Sequence, residues 1–468
     1  MAVETCSTER SKGPNVLRVH SFKRSQGSGF SNQSINTTTM QLSTLFCLFL
    51  VSIASALPSP FPTDTALIYD SKITNLESYT SLLNYLREEL RVPLQVLEFN
   101  SPELEIFKNG QRNFDNLIIF PTKARSIGSE SNIHGLDLLN FFNDGGNVFT
   151  ITSPTGVSET VRNYLNQIGI YPSPRNHELV DYFVGSNETS FKSIKLTAEN
   201  VKLESNIISS VPEITYSGSA ALLTNNNLLF PILQSPSTSF TKNSQESDEA
   251  NNWTVGTQGY LAVGHQGLNN ARGAWIGDAS LLDDSQFSTF DKELLQWTFQ
   301  MKNILRVTEV KHNHINGDTY AERPYKVKDE LEYQITLQEF NGEQWSPVSF
   351  SDLQFEIKLI SPYHRLNLSE LSQDENSTTY GVTFKVPDRH GVYTLQTIYQ
   401  RPGWSFVEEK EVLSIRHLAN DEYPRSWDIP NSWVYITSSV VVFAAWIVFL
   451  IVFIYIKDGK IVDSKKQK

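Results

Sequence analysis

The chain has 468 residues, with 39 Lys+Arg against 51 Asp+Glu and a formal net charge of −12. That is length for two or three ordinary domains with their own cores. An acidic balance without a basic stripe excludes binding along a phosphate backbone, so nucleic acid is not an expected partner.

Residues 1–39 are polar, contain no apolar run and read as an N-terminal extension, with the start at Met1 or Met40. Residues 40–56 read as a signal peptide. The stretch 45–54 (LFCLFLVSIA) has the length of an h-region, and Ala54-Ser55-Ala56 forms an A-x-A site, so cleavage is expected after Ala56. The n-region after Met40 lacks a basic residue, while Lys23 and Arg24 lie upstream of it. Both cysteines, Cys6 and Cys47, fall in the part to be removed. The mature chain, at a net −15 once five basic and two acidic residues are lost, would form no disulfide and would hold by its core alone.

Residues 57–303 are expected to form a luminal α/β region. After Pro58, Pro60 and Pro62, short apolar runs at 66–69, 94–99, 117–120 and 148–151 read as strands. Between the first two, Leu76, Tyr79, Leu82, Leu83, Leu86 and Leu90 recur at helical spacing, with Arg87, Glu88 and Glu89 on the other side. A second helix puts Ile133, Leu136, Leu139 and Phe142 on one stripe and stops at Asp144-Gly145-Gly146. This βαβ rhythm predicts a Rossmann-like, doubly wound, mostly parallel sheet over about 63–175. Residues 176–303 read as its second half with long surface insertions, including strands at 260–263 and 274–276 and a helix from about 287 to 302.

The period then changes to two. Leu331, Tyr333, Ile335 and Leu337 alternate with polar residues, as do Leu353, Phe355, Ile357 and Leu359, which predicts a membrane-proximal β-sandwich over 304–415 with turns at Asn341-Gly342 and His390-Gly391. A juxtamembrane linker, 416–432, leads to an uncharged apolar run, 433–456, long enough to cross a bilayer. Trp427, Trp433, Tyr435 and Tyr455 lie at its interfaces. Lys457, Lys460, Lys465, Lys466 and Lys468 follow it, whereas Asp421, Glu422 and Asp428 precede it, so the tail 457–468 is cytosolic and the large N-terminal part luminal. Lys465 and Lys466 hold the fourth and third places from the carboxyl end, the pattern of a dilysine retrieval signal. Asn187, Asn252, Asn367 and Asn376 head N-x-S/T sequons on the luminal side and are candidate glycosylation sites; at Asn252 the middle residue is the bulky Trp253.

No constellation points firmly to catalysis. The first strand is followed by Asp70-Ser71-Lys72 rather than G-x-G-x-x-G, and no Walker-type loop occurs, so no cofactor is expected. Asp144-Gly145-Gly146 is accounted for by a helix C-cap, and Asp283-Asp284 by charge at the start of the helix that follows. His312, His314 and His390 are the best metal candidates, but spacing supplies no carboxylate beside them, and no metal site is expected. His265 and Asp278 each end an apolar strand and could in principle form an acid/base pair, without a nucleophile motif near them.

The segments FDNLIIFP (114–121), FFNDGGNVF (141–149), NNARGAWIGD (269–278), YKVKDELEYQITLQEFNGEQWSPV (325–348) and VPDRHGVYTLQTIYQRPGW (386–404) resemble the DDOST-type subunit of the dolichyl-diphosphooligosaccharide protein glycosyltransferase, in a fungal version. The resemblance runs over 40–468; the first 39 residues depart from it. It implies a non-catalytic subunit of the oligosaccharyltransferase complex of the endoplasmic reticulum (ER) membrane, which moves a preassembled glycan from dolichyl diphosphate to Asn in N-x-S/T. The catalytic residues would belong to a polytopic partner subunit. Ribophorin-type subunits and a small defender-against-death-type subunit would be the other partners, and the dolichyl-linked glycan a possible contact. The alternatives are an independent membrane-anchored luminal glycan-modifying enzyme and a cargo receptor. Amino-terminal sequencing of the purified protein is expected to begin at Leu57; a mature chain that retains Cys47 would mean a signal anchor instead.

Overall fold

The computed structural model describes residues 64–128, 133–183, 191–202, 206–209, 213–245, 252–342, 344–423 and 432–456. The signal region with Ala56, the sequon residue Asn187, and Lys465 and Lys466 lie outside the described residues.

A nine-stranded sheet forms the first region. Five strands run parallel in the order Leu94–Glu98, Thr65–Tyr69, Asn116–Ile119, Asn147–Ile151, Arg272–Ile276. Tyr260–Gln266, Ala221–Leu223 and Ile170–Pro172 continue it antiparallel, and Leu229–Gln234 also pairs antiparallel with Tyr260–Gln266. Within 63–175 the strands of this sheet are parallel apart from Ile170–Pro172, but the sheet as a whole is mixed. The chain leaves the parallel set after Ile151, builds the antiparallel half, and returns to supply the fifth parallel strand. Periodicity could not show this, because the antiparallel Tyr260–Gln266 is as apolar and as buried on both faces as its parallel neighbours.

Both faces are covered. The helical segment 76–89 and the helix Thr289–Thr298 share a core with Leu67, Ile118 and Phe149, whereas Gly135–Asn143 and Glu159–Ile168 share another with Ala66, Ile68, Leu117 and Val148. Successive side chains of one strand point to opposite faces, so Leu67 and Ile68 belong to different cores. The segment 76–89 is helical as its spacing predicts, though divided into a 3₁₀ turn, Leu76–Tyr79, an α-turn, Thr80–Asn84, and a π-turn, Tyr85–Glu89.

The stripe predicted on the second helix needs correction in part: Ile133 and Phe142 are buried as predicted, but Leu136 is 63% exposed, and Leu138 and Phe141 are buried instead. The helix starts only at Gly135, where a Cβ would lie 2.8 Å from that of Asn163, and this close crossing with Glu159–Ile168 sets which residues face inward. Its end was legible, since Gly145 takes the left-handed conformation (φ 95°) and the N–H groups of Gly145 and Gly146 cap the carbonyls of Phe142 and Phe141.

The second region holds two antiparallel sheets. One orders Ile304–His314, Glu330–Phe340, Thr378–Lys385 and Ser369–Gln373, with Trp345–Ser346 paired beside Glu330–Phe340. The other orders Pro362–Asn367, Gln354–Lys358, Gly391–Tyr399 and Val407–Ile415. Their inward residues, among them Leu331, Tyr333, Phe355, Ile357, Tyr393 and Leu395, form one core. The Tyr333 and Phe355 rings sit 4.3 Å apart, and the Thr397 hydroxyl donates to Tyr333 Oη across the layers at 3.0 Å. Among the described residues one helix, Ser432–Tyr455, is long and apolar enough to cross a membrane, with mean hydropathy 2.6 and none of its most apolar window buried.

Leu138→Ala is expected to lower unfolding stability by about 2–5 kcal/mol, and Leu136→Ala by less than about 0.5 kcal/mol. Denaturant melts of the two variants check the inward face directly.

Candidate functional site

Sheets of this order bind ligands outside the carboxyl ends of their strands, where the order reverses between the first and third strands in sequence. That position lies between Thr65–Tyr69 and Asn116–Ile119, and there stands Asp70, 1% exposed. Its carboxylate accepts from Lys72 N at 3.0 Å, Thr122 Oγ1 at 2.9 Å and Lys123 N at 3.2 Å. Backbone N–H groups at such a turn are what would cradle a phosphate. Here they hold the chain's own anion.

The neighbouring loops close over it. A Cβ on Gly156 would lie 2.8 Å from Pro121 Cβ and 3.3 Å from Ile73 Cδ1, so the loops after the first, third and fourth parallel strands touch. At the fifth, Asp278 accepts from Ser217 N at 2.5 Å and from Ser280 N and Oγ at 2.9 and 2.8 Å. Burial raises its pKa, and those hydrogen bonds oppose the rise.

The other sequence candidates have structural partners. His265 is buried against the Phe142 and Tyr164 rings, with Nε2 3.0 Å from Tyr164 Oη, and burial pushes its pKa down to about 3. His265 pairs with Gly273 near the start of the neighbouring strand, whereas Asp278 lies beyond that strand's end. The two are thus held apart and form no acid/base pair. Asp284 does sit at a helix start, though of a distant one: it accepts from Thr80 Oγ1 at 2.5 Å and Ser81 N at 2.6 Å. The helix after it is capped by Ser288, boxed with Asp291, whose carboxyl burial raises to about 7. The carboxylates missing from the histidine spacing come from elsewhere in the chain, with Glu411 Oε1 2.9 Å from His312 Nε2 and Asp329 Oδ2 3.9 Å from His314 Nδ1.

Of the sequons, Asn367 is exposed on an edge strand and Asn376 in the turn between Ser369–Gln373 and Thr378–Lys385. Asn252 is half-buried, and Thr254 beneath it is 1% exposed.

What sequence reasoning missed is the junction between the two regions. Arg272 is fully buried, yet among the described residues its guanidinium meets no carboxylate. It donates to the carbonyls of Trp297 (3.1 Å), Lys302 (2.6 Å) and Asn303 (2.8 Å) and stacks 5.1 Å from the Trp297 ring. Carbonyls at a helix end carry the negative pole of the helix dipole, so they suit a cation. Trp297 in turn donates from Nε1 to Gly403 O at 2.8 Å. Asn270 pairs with both backbone groups of Phe406, at 2.7 and 3.1 Å, and Gln266 donates to Trp404 O at 3.1 Å. The 403–406 loop of the second region is thereby hydrogen-bonded along the end of the sheet.

Residues 59–301 match the family described as OST48, N-terminal domain, and residues 312–457 that described as OST48 middle domain. The chain belongs to the OST48 family. It is 41% identical to the dolichyl-diphosphooligosaccharide–protein glycosyltransferase subunit WBP1 of Saccharomyces cerevisiae, over 86% of this chain and 94% of that one. Identity is 28% to the wbp1 subunit of Schizosaccharomyces pombe (78% and 86% covered) and 26% to the 48 kDa subunit of Drosophila melanogaster (78% and 85%). Among solved structures, an mmIFT52 N-terminal domain aligns with a TM-score of 0.36 at 13% identity, over 51% of this chain and 97% of that one. The two OST48 matches meet at the junction: Lys302 and Asn303, whose carbonyls receive Arg272, fall between them.

Arg272→Met takes the guanidinium donor from Lys302 O and leaves Trp297 O and Asn303 O with only their backbone donors from Gln300 and Ser405, and is expected to cost about 1–3 kcal/mol. Trp297→Phe removes one hydrogen bond and is expected to cost about 1–3 kcal/mol, with faster proteolysis around 403–406. Thermal unfolding and limited digestion of the purified chain measure both.

Proposed function

We propose that this chain is a non-catalytic subunit of oligosaccharyltransferase, the complex that transfers a preassembled glycan from dolichyl diphosphate to Asn in N-x-S/T of nascent proteins in the ER lumen. Membership of the OST48 family supports the complex. The observation that supports the non-catalytic role is the Asp70 carboxylate, seated where a Rossmann-like sheet would take a ligand's phosphate. In this reading the sheet is a doubly wound, Rossmann-like one that has kept its layers and given up its ligand, and the two antiparallel sheets are a membrane-proximal β-sandwich. The donor is held by the polytopic catalytic subunit, with ribophorin-type and small defender-against-death-type subunits as further neighbours.

The helix Ser432–Tyr455 spans the ER membrane once, with the N-terminal part luminal and 457–468 cytosolic, in keeping with the lysines after the span and the acids before it. Lys465 and Lys466 return any escaped subunit. Asn367 and Asn376, both exposed, accept glycans more readily than Asn252, whose sequon threonine is buried.

The test is glycan transfer to an acceptor peptide, normalised to intact complex. Asp70→Asn, Asp144→Asn, His265→Gln and Asp278→Asn are expected to lower transfer only in proportion to the complex they allow to assemble. A large loss of rate in fully assembled complex from any one of them would return the enzyme reading.

A further inference from the structure

The stretch after the last β-strand is fastened to the β-sheets before it reaches the helix. Arg416 N donates to Tyr325 O at 3.0 Å, and Arg416 O accepts from Val327 N at 3.0 Å. Glu422 then closes the loop: it takes both ends of the Arg416 guanidinium at 2.7 and 2.8 Å, the N–H of Ala419 at 2.7 Å, and Lys326 Nζ at 3.4 Å. The paired guanidinium holds the Glu422 carboxyl far below the ordinary range. From Tyr423 to Ser432 there remain nine residue steps, a reach of about 30 Å when fully extended. The end of the β-sheet region that carries this clamp thus lies within about 30 Å of the start of Ser432–Tyr455.

Side chains from other loops gather at the same end. His417 lies 5.7 Å, ring to ring, from His390, and Asp388 beside it accepts from Tyr363 Oη at 3.0 Å, which brings in the turn 359–361. At the tip of that turn Ile360 is 89% exposed, the most exposed large apolar side chain among the described residues. Ile315, which follows the strand Ile304–His314, and Tyr423 are both about half exposed (52% and 51%), and Lys328 and Arg389 stand exposed around them beside Asp388 and Asp421. Exposed apolar tips suit the headgroup layer of a membrane, where they leave water and the neighbouring Lys328 and Arg389 can meet phosphates.

We propose that this end of the β-sheet region rests on the bilayer, with Ile360, Ile315 and Tyr423 entering the headgroup layer as a second, peripheral membrane contact beside the spanning helix. The contact fixes the orientation of the luminal body through two attachments rather than one. It rests on the reading that Ser432–Tyr455 spans the membrane, and the experiment separates the two.

The full chain, with Cys6→Ser and Cys47→Ser, is reconstituted in phosphatidylcholine vesicles with or without a lipid carrying a nitroxide at its headgroup. One environment-sensitive fluorophore is attached through Ile360→Cys, Asp374→Cys or Val442→Cys. Asp374 lies in the turn leading into Thr378–Lys385, at the end of that strand away from Lys385 and its partner Glu330. The probe at Ile360 is expected to shift to the blue and lose emission with the nitroxide lipid, while that at Asp374 stays as in water. If Val442 shows insertion and Ile360 behaves like Asp374, the peripheral contact is overturned and the span stands. If the Val442 probe also stays as in water, both fall. Protection of Ile360 only after the other subunits are added would assign this face to a protein partner and overturn the lipid contact.

Discussion

The guanidinium of Arg272 is the constraint on which the folded body depends. A buried cation is costly unless it is hydrogen-bonded, and here Nη1 and Nη2 donate to carbonyls, with the Trp297 ring against one face, while Nε has no partner among the described residues. Desolvation lowers its pKa to about 9, so it stays protonated at neutral pH. Those carbonyls belong to the last turn of Thr289–Thr298 and to the residues that open the β-sheet region. One side chain on the fifth parallel strand therefore fixes where the helix ends, where the next region begins, and how Trp297 is turned toward Gly403. Asn270 and Gln266 extend the joint along Phe406 and Trp404. A subunit that acts by holding partners in place needs a joint of this kind, because slack between its regions would be passed on to every contact it makes.

The sheet's carboxyl end shows the same preference for internal partners. Asp70 takes the N–H groups and hydroxyl that an anion would need, Asp278 takes those of Ser217 and Ser280, and Gly156 lets three rim loops meet where a side chain would prop them apart. The layered sheet and its two cores remain.

Much of this was legible in the sequence, for reasons that differ by element. The strands around Leu67, Ile118 and Phe149 are apolar on both faces, so their existence followed from composition, and the alternation from Leu331 to Leu337 announced a half-buried antiparallel strand. The direction of Tyr260–Gln266 did not follow, because a strand buried on both sides looks alike in either direction. The site was legible only in what it lacked: no glycine fingerprint follows the first strand, yet nothing in Asp70-Ser71-Lys72 says that Thr122 and Lys123 will close on it. The clamp on His312 by Glu411 and the cap on Thr80 by Asp284 join residues 99 and 204 apart in sequence, beyond any local pattern. The junction was hidden most completely, since Arg272 reads as a surface residue until its carbonyl partners are known.

The central claim is that this chain contributes architecture and leaves the lipid-linked donor to another subunit. Photo-crosslinking of the intact complex with a dolichyl-diphosphate glycan bearing a photoreactive group near the diphosphate, followed by peptide mapping, tests it most directly. The account predicts adducts on the polytopic partner and none on residues 70–74, 122–125 or 153–156 of this chain. Adducts concentrated on those three loops would contradict it.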